Sequence, residues 1–254
     1  MSERKLKVIG VGGFARSGKD TFVNVAKKIL TQNGYSAHRI AFADALKDEV
    51  QSMLRNHRFT ASVFIDDTEV KKIMRSLLVW WGGQRRIESE DGLYWVDIVH
   101  RQLEQVQRLA ETMDVADVAV DKIVYLVSDV RFPNEAKWVH EAWNGWFVHV
   151  KKYRLVDDFK VNWKDGIPNT TAKTVEKIES GCKVFDQAPN EEEAKQDPII
   201  QELADDRLEL ENVIEREARK GNKITAADLP DNMYLQEEIR LCLAKIPFLT
   251  IQKS

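Results

Sequence analysis

Nine residues near the N-terminus combine glycines with a lysine at a spacing that is typical of phosphate-binding loops. The segment 13–21 reads GFARSGKDT and matches the pattern G-x-x-x-x-G-K. Glycines let backbone N–H groups turn inward around an anion, the following helix directs its N-terminus at that anion, and the lysine reaches the β- and γ-phosphates of a nucleotide. The pattern therefore predicts a phosphate-binding loop for ATP, with Lys19 as a catalytic residue. The predicted binding residues are Gly13, Ala15, Arg16, Ser17, Gly18, Lys19, Asp20 and Thr21.

Two aspartates are candidate ligands for Mg²⁺. Asp20 stands where this pattern usually has a hydroxyl that contacts the ion. A carboxylate there could coordinate Mg²⁺ directly or through water, or it could act only by favouring the N-terminus of the helix. Asp129 follows the strongly apolar segment 122–128, in the position of an acid that holds Mg²⁺ in P-loop enzymes. The sequence predicts both aspartates as metal ligands and Asp129 also as a catalytic residue, and it leaves the two roles of Asp20 open.

Charged side chains after two predicted strands suggest a second site beside the ATP site. Asp44 and Lys47 follow the predicted strand 40–43, and Arg131 comes two residues after Asp129. Ligands of open α/β sheets bind at the carboxyl ends of the strands. We expect Asp44 and Lys47 to contact the sugar or phosphate of an acceptor, and Arg131 to bind its phosphate and take part in catalysis. The alternative for Asp44 is a helix cap beside a solvated lysine.

Two further arginines, Arg85 and Arg86, follow the glycine pair Gly82-Gly83. The glycines are predicted to end a helix, which would place the arginines on a mobile loop. Arginines on such loops clamp phosphates and neutralise the charge that develops during phosphoryl transfer. The alternative is that this charged loop is only solvated surface.

Strands and helices alternate through the first part of the chain. Short apolar runs predict the strands, and apolar residues at helical spacing predict the helices. The alternation implies right-handed crossovers and a mainly parallel sheet flanked by helices. Together with the glycine-rich loop, it predicts an α/β protein with the P-loop NTPase fold. The predicted strands are 6–11, 40–43, 122–128 and 146–150, and the predicted helices are 18–33, 44–54, 69–81, 93–113 and 133–143.

The last hundred or so residues are more polar and charged. Helices are predicted at 199–220 and 233–245, and segment 182–186 is predicted to be a displaced final strand. The first helix carries an apolar stripe that could pack on the core or form a homodimer interface. The stripe consists of Ile199, Leu203, Leu210 and Ile214.

The predicted organisation has two parts. A core comprises residues 1–154 and includes a substrate or lid segment at about 55–115. A charged, helical C-terminal appendage comprises residues 155–254 and partly completes the core.

Composition excludes several classes of function. The formal net charge of the 254 residues is -3, so no broad basic field predicts binding to a nucleic acid polymer. The two cysteines, Cys182 and Cys242, lack CxxC spacing, which excludes a disulfide framework and a cysteine-rich zinc site. The chain shows no signal peptide and no apolar stretch long enough to span a membrane. We therefore expect a cytoplasmic protein that does not associate with membranes.

Four segments resemble the bacteriophage deoxynucleoside monophosphate kinases and, more loosely, phosphomevalonate kinases. The resemblance covers about the first 150 residues and implies phosphorylation of a deoxynucleoside monophosphate to the diphosphate, with ATP and Mg²⁺, in the host cytoplasm. It also implies a substrate-binding segment that includes Arg85, Arg86 and Trp95. Beyond residue 154 the chain departs from the family, whose histidine- and serine-containing substrate segment has no counterpart here. The four segments are GFARSGKDT at 13–21, IAFADALKDEV at 40–50, LLVWWGGQRRIESEDGLYWVD at 77–97 and VSDVRFPNEA at 127–136.

Two other functions remain open. One is a kinase for a different phosphorylated acceptor, such as a phosphomevalonate-like molecule. The other is a P-loop ATPase or nucleotide-regulated binding module whose charged C-terminal helix docks a partner. The second set of charged residues favours a kinase, because a plain ATPase needs no second site. The expected partners are small-molecule nucleotides.

Overall fold

A mixed α/β chain with a mostly parallel sheet is seen in the computed structural model. No helix within the described residues is long and apolar enough to cross a membrane. Positions 61, 65–67 and 113–115 of the predicted substrate or lid segment lie outside the described residues. The structure describes residues 5–60, 62–64, 68–112, 120–157, 163–164, 167–168, 173–179, 181–188 and 190–252.

Five parallel strands form the centre of the sheet. Strand β1 (Lys7–Gly12) lies between β3 (Ile123–Val130) and β4 (Trp146–Val156) and is parallel to both. Strand β2 (Ser36–Ile40) pairs with the outer edge of β3, and β9 (Asp206–Glu211) pairs with β4. The order is therefore β2-β3-β1-β4-β9. The nearly continuous apolar runs of β1 and β3 are explained by this position, because central parallel strands are covered on both faces.

The end of β4 also belongs to a smaller antiparallel extension of the sheet. The last residues of β4 pair with β8 (Gly181–Asp186), which pairs in turn with β7 (Lys173–Ile178). Two further short strands, β5 (Trp163–Lys164) and β6 (Ile167–Pro168), pair only with each other in the described part of the chain.

Helices cover both faces of the sheet. Buried residues of α1 and α8 pack on one face, and buried residues of α2, α4 and α5 pack on the other. The α-helices are α1 (Lys19–Gln32), α2 (Phe42–Asn56), α3 (Thr68–Glu88), α4 (Tyr94–Thr112), α5 (Pro133–Trp143), α6 (Glu191–Glu202), α7 (Val213–Arg219) and α8 (Met233–Ala244).

The connections after β1 and β3 leave the sheet on opposite faces. The chain passes from β1 to α1 on one face and from β3 to α5 on the other. Neighbouring parallel strands that diverge in this way open a crevice at their carboxyl ends, where ligands of α/β proteins bind. The predicted mostly parallel sheet flanked by helices is confirmed, and its crevice lies between Gly12 and Val130.

The second strand and the helix after it were predicted a few residues too late. The strand is Ser36–Ile40, not 40–43, and α2 begins at Phe42, not at Asp44. Strand β2 is at the edge of the sheet and has no buried residue. Its sequence SAHRI is therefore polar, and it lacks the apolar run by which strands are recognised.

The glycine pair Gly82-Gly83 does not end a helix. Helix α3 continues to Glu88, so Arg85 and Arg86 lie in its last turn and not on a loop. A side chain at Gly82 would approach Leu46 of α2 to 3.1 Å, and the carbonyl of Gly82 accepts a hydrogen bond from the Trp95 indole. Close helix contact explains the first glycine, which sequence rules treat as a helix breaker.

The single long helix predicted at 199–220 is wrong. This region contains the end of α6, the strand β9 and the short helix α7. Leu208 and Leu210 alternate with charged residues along β9, and such short apolar patterns fit a helix or a strand equally well. The apolar stripe predicted to pack on the core or to form a homodimer interface is therefore not one helix face, and its Leu210 is buried in the core.

The C-terminal region adds strands as well as helices. Segment 182–186 lies in the strand β8, but the fifth parallel strand beside β4 is β9. Helix α8, predicted at 233–245, packs on α1. Both β9 and α8 thus belong to the same layers as the first 154 residues.

Candidate functional site

The loop between β1 and α1 has a backbone that requires glycine. Gly13 and Gly18 have φ angles of 128° and 101°, in the region that side chains rarely adopt. A Cβ atom on Gly13 would lie 2.5 Å from the carbonyl oxygen of Val150 on β4. The loop turns back on itself, because the N–H of Ser17 donates to the carbonyl of Phe14 at 3.2 Å. The glycine spacing therefore holds a tight turn against the neighbouring strand.

Lys19 is folded into this loop. Its ammonium donates to the carbonyl oxygens of Gly13 and Phe14, both at 2.6 Å. Burial lowers the pKa of Lys19 to about 8, and the positive charge of Arg131 acts in the same direction. The carboxylates of Glu193, Asp20 and Asp129 oppose this lowering but do not cancel it. The ammonium is therefore incompletely compensated, and an incoming anion would be favoured here.

The hydroxyl of Ser17 is a second polar group of this loop. It is buried and makes no hydrogen bond within the part of the chain that the structure describes. Asp20 and Arg16 are exposed at the start of α1 and at the loop, respectively, and Thr21 is half-buried one residue further on. Buried hydroxyls are almost always paired in proteins, so an unpaired one beside Lys19 is consistent with a ligand that completes the site.

Asp129 joins β3 to the start of α2. Its two carboxylate oxygens accept the N–H groups of Phe42 and Ala43 at 2.9 and 2.8 Å. Burial raises the pKa of Asp129, and the two backbone hydrogen bonds oppose that rise. A carboxylate accepts about four hydrogen bonds or metal contacts, so lone pairs remain after these two.

Arg131 contacts a residue that the sequence analysis did not identify. Its guanidinium pairs with Glu193 at 2.9 Å, and the other oxygen of Glu193 accepts the N–H of Ala15 at 2.7 Å. Glu193 lies in the first turn of α6, where its N–H donates to the side chain of the N-cap Asn190. An asparagine followed three residues later by a glutamate is a helix-start signal. That signal could have located α6, but it does not indicate a contact with the loop.

Glu135 links Arg131 to Arg86. The carboxylate accepts the N–H groups of Arg131 and Phe132 at 2.8 and 3.1 Å, and it pairs with the Arg86 guanidinium at 2.9 Å. Burial raises the pKa of Glu135 to about 7, although the charge of Arg86 opposes the rise. Arg86 thus reaches the same crevice from the end of α3.

The raised pKa of Glu135 predicts a pH-dependent stability. The carboxyl binds its proton more tightly in the folded state than its ordinary value of 4.5 allows, so the folded state binds more protons between about pH 4.5 and 7. The free energy of unfolding should therefore fall as pH rises through this window, by on the order of 1–3 kcal/mol. Urea unfolding of the wild type and of Glu135→Gln at several pH values measures this contribution. Parallel stability curves for the two proteins would contradict it.

Two other predicted substrate residues lie at the start of α2. Asp44 is in the first turn and pairs with Arg39 of β2 at 2.5 Å. The ammonium of Lys47 lies 6.0 Å from the centre of the Phe64 ring. Both side chains are half-buried, and α2 begins beside Asp129.

Arg85 and Trp95 are held by structural contacts. The Arg85 guanidinium pairs with Glu49 at 2.7 Å and stacks near the rings of Trp81 and Tyr94. Trp95 is buried at the start of α4, and its indole donates to the carbonyl of Gly82. Arg86, and not Arg85, is therefore the arginine of this pair that the structure brings to Arg131 through Glu135.

Asp20 and Asp129 are separate candidate ligands for Mg²⁺. The described residues contain no cluster of three or more histidine, cysteine or acidic side chains that could enclose a metal ion. Mg²⁺ bound to a nucleotide needs only one or two protein carboxylates, because phosphates and waters supply the other ligands. The spare lone pairs of Asp129 and the exposed carboxylate of Asp20 fit that requirement.

A cavity of about 660 Å³ adjoins the loop. Its walls include Phe14 of the loop, Phe185 at the end of β8, and Ala194 and Asp197 of α6. Asp197 also pairs with the buried His149 of β4 at 2.9 Å. The volume is in the range of small-molecule sites, and the cavity adjoins the loop through Phe14.

Cations, backbone donors and carboxylates therefore meet at the carboxyl ends of β1 and β3. Lys19, Arg131, Asp129 and Glu193 are close enough that the other three change the pKa of the lysine. Such a group can bind an anion and neutralise its charge. Neither the protein-family models nor the curated proteins compared with the chain give a match, and its function therefore has to be inferred from these contacts.

Proposed function

We propose that the chain is a P-loop kinase that transfers the γ-phosphoryl group of ATP to the phosphate of a deoxynucleoside monophosphate. The observation that carries this proposal is the placement of Glu193. A carboxylate accepts the Ala15 N–H of the loop and pairs with Arg131, beside the buried ammonium of Lys19. Amide, guanidinium and ammonium are the groups that bind phosphate in proteins, so a carboxylate among them marks an anion site.

In this proposal the loop binds the donor. The N–H groups of the loop and the ammonium of Lys19 would hold the β- and γ-phosphates of ATP. Lys19 would exchange its contacts with Gly13 and Phe14 for contacts with phosphate oxygens. The buried hydroxyl of Ser17 would gain the partner it lacks among the described residues.

The arginines would bind the acceptor. Arg131 follows β3 at the crevice, and Glu135 fixes its backbone and the guanidinium of Arg86. A phosphoryl group between Lys19 and Arg131 would be neutralised from both sides. The acceptor phosphate is already a nucleophile, so no general base is required, and catalysis consists of alignment and charge neutralisation.

Asp20 and Asp129 would hold Mg²⁺, which when bound neutralises charge on the phosphate oxygens of the nucleotide. The protein would contribute by holding these carboxylates in fixed positions. Asp129 is fixed by the N–H groups of Phe42 and Ala43, so its remaining lone pairs have a defined direction.

The second set of cations supports a kinase over an ATPase. Hydrolysis of ATP needs the loop, a metal ion and water, but it does not need Arg131 and Arg86 joined through Glu135. The resemblance of four segments to deoxynucleoside monophosphate kinases supports the choice of acceptor.

The direct test is ADP release from Mg·ATP in the presence of different acceptors. The panel contains deoxynucleoside monophosphates, ribonucleoside monophosphates and phosphomevalonate, and a sample without acceptor is the control. We expect turnover that depends on a deoxynucleoside monophosphate. Turnover with phosphomevalonate alone would identify another acceptor, and equal turnover without any acceptor would mean an ATPase.

Arg131→Ala should mainly weaken use of the acceptor. The guanidinium is a charge-assisted hydrogen-bond donor, so its loss should lower kcat/KM for the acceptor by roughly 10–100-fold and change the KM for ATP much less. Initial rates at varied acceptor and saturating ATP measure the effect. Arg101→Ala is the control, because Arg101 is exposed on α4 and bonds the backbone of its own helix. Unchanged acceptor kinetics in Arg131→Ala would remove this residue from the site.

A further inference from the structure

Glu193 makes two contacts that a bound phosphate would also need. One carboxylate oxygen lies 2.7 Å from the backbone nitrogen of Ala15, and the other lies 2.9 Å from the Arg131 guanidinium. The negative charge of Glu193 also raises the pKa of Lys19, so the carboxylate acts on the ammonium as a phosphate would. The side chain of Glu193 is 11% exposed and thus lies within the site.

Carboxylate and phosphate oxygens compete for the same donors. The N–H of Ala15 donates to one oxygen of Glu193, and the Arg131 guanidinium pairs with the other. A phosphate oxygen could take either place only after the carboxylate has left. We propose that Glu193 is a built-in competitor of the nucleotide: its carboxylate occupies the anion site, and the phosphoryl group of the ligand must displace it. This inference rests on the proposed function, because it assumes that the loop binds a phosphoryl group.

The side chain can leave without movement of its helix. Helix α6 is anchored by the buried Ile200 and by the pair between Asp197 and His149, and its first turn is capped by Asn190. Rotation of the Glu193 side chain about its own bonds would release Ala15 and Arg131, and it would also break the contact of the carboxylate with the Asn190 amide at 3.3 Å.

The contacts of Glu193 with Ala15 and Arg131 lower the affinity of the site for every anion. A nucleotide binds only those molecules in which Glu193 has left the site. Its apparent affinity is therefore the intrinsic affinity multiplied by the fraction of such molecules. A nucleotide that presents several phosphate charges displaces the carboxylate more readily than a singly charged ion does. Glu193 thus favours nucleotides over small anions, and it keeps the donors of the empty site paired.

The test is nucleotide affinity in Glu193→Gln and Glu193→Ala. Isothermal titration calorimetry with Mg²⁺ and a non-hydrolysable ATP analogue should give a Kd about tenfold lower than that of the wild type, because the competitor has lost its charge. Glu192→Gln is the matched control: Glu192 is exposed in the same turn, and its substitution changes the net charge equally. The control should bind as the wild type does.

Thermal unfolding supplies a second readout. Without ligand, Glu193→Gln should unfold at a lower temperature than Glu192→Gln, because Ala15 and Arg131 lose a charged partner. With the ATP analogue, its midpoint should rise further than that of the control. Weaker or unchanged binding in both Glu193 variants would overturn the inference and would mean that Glu193 positions Arg131. If neither the wild type nor Glu193→Gln bound the analogue, the proposed function itself would fail.

Discussion

Replacing Lys19 with alanine is expected to lower kcat/KM for phosphoryl transfer by roughly 10³-fold or more. Lys19 supplies the one ammonium that the structure folds into the loop among the described residues, and its charge is held by the carbonyls of Gly13 and Phe14. Removal of this buried cation leaves donor phosphates uncompensated while α1 keeps its other contacts. Coupled detection of ADP with the best acceptor of the panel measures the effect, and circular dichroism establishes that the variant is folded.

Lys27→Ala is the matched control for this experiment. Lys27 lies about two turns further along the same helix, where its side chain is half-buried and away from the loop. It should retain normal kinetics. A Lys19→Ala protein with near-normal turnover would end the assignment of residues 13–21 as the ATP site.

Asp129→Asn is expected to affect both stability and activity. The asparagine keeps one acceptor oxygen, so one of the N–H groups of Phe42 and Ala43 would face an amide donor instead. A buried unpaired donor costs about 1–3 kcal/mol of unfolding free energy. The loss of a carboxylate from the proposed metal site should also lower kcat/KM by roughly 10²–10³-fold.

The two effects are separated by different measurements. Urea unfolding reports the hydrogen bonds of Asp129, whereas calorimetric titration of Mg²⁺ into the protein with ADP reports the metal site. Asp48→Asn, at an exposed position of α2, is the control and should change neither. Lower stability with an unchanged Mg²⁺ titration would give Asp129 a structural role alone.

The sequence predicted elements well where burial on both faces left an apolar run. Strands β1 and β3 and helices α1, α5 and α8 lie within a few residues of their predicted bounds. The edge strand β2 has no such run, since it has no buried residue. For β9, the alternation of Leu208 and Leu210 with charged residues was compatible with a helix or a strand. The segment is a strand because it pairs with β4, and this pairing is not visible in the local sequence.

Contacts between distant segments were not predictable from local pattern. Gly82 is tolerated in α3 because Leu46 and Trp95 approach it, and neither neighbour is visible in the spacing of residues around it. Glu193 reaches Ala15 across most of the chain, and its acidic segment looks like a solvated helix end. The sequence predicted residues at the strand ends, but the carboxylate that lies among them comes from a different part of the fold.

The late position of β9 and α8 in the chain has a consequence for biosynthesis. During translation, β4 would leave the ribosome long before β9, its parallel neighbour, and α1 would leave even longer before α8. The apolar surfaces of β4 and α1 would stay uncovered until β9 and α8 emerged, and exposed apolar surface in incomplete chains promotes aggregation. Glu193 emerges earlier than these two elements but long after Ala15, so the contact between them also forms late in synthesis.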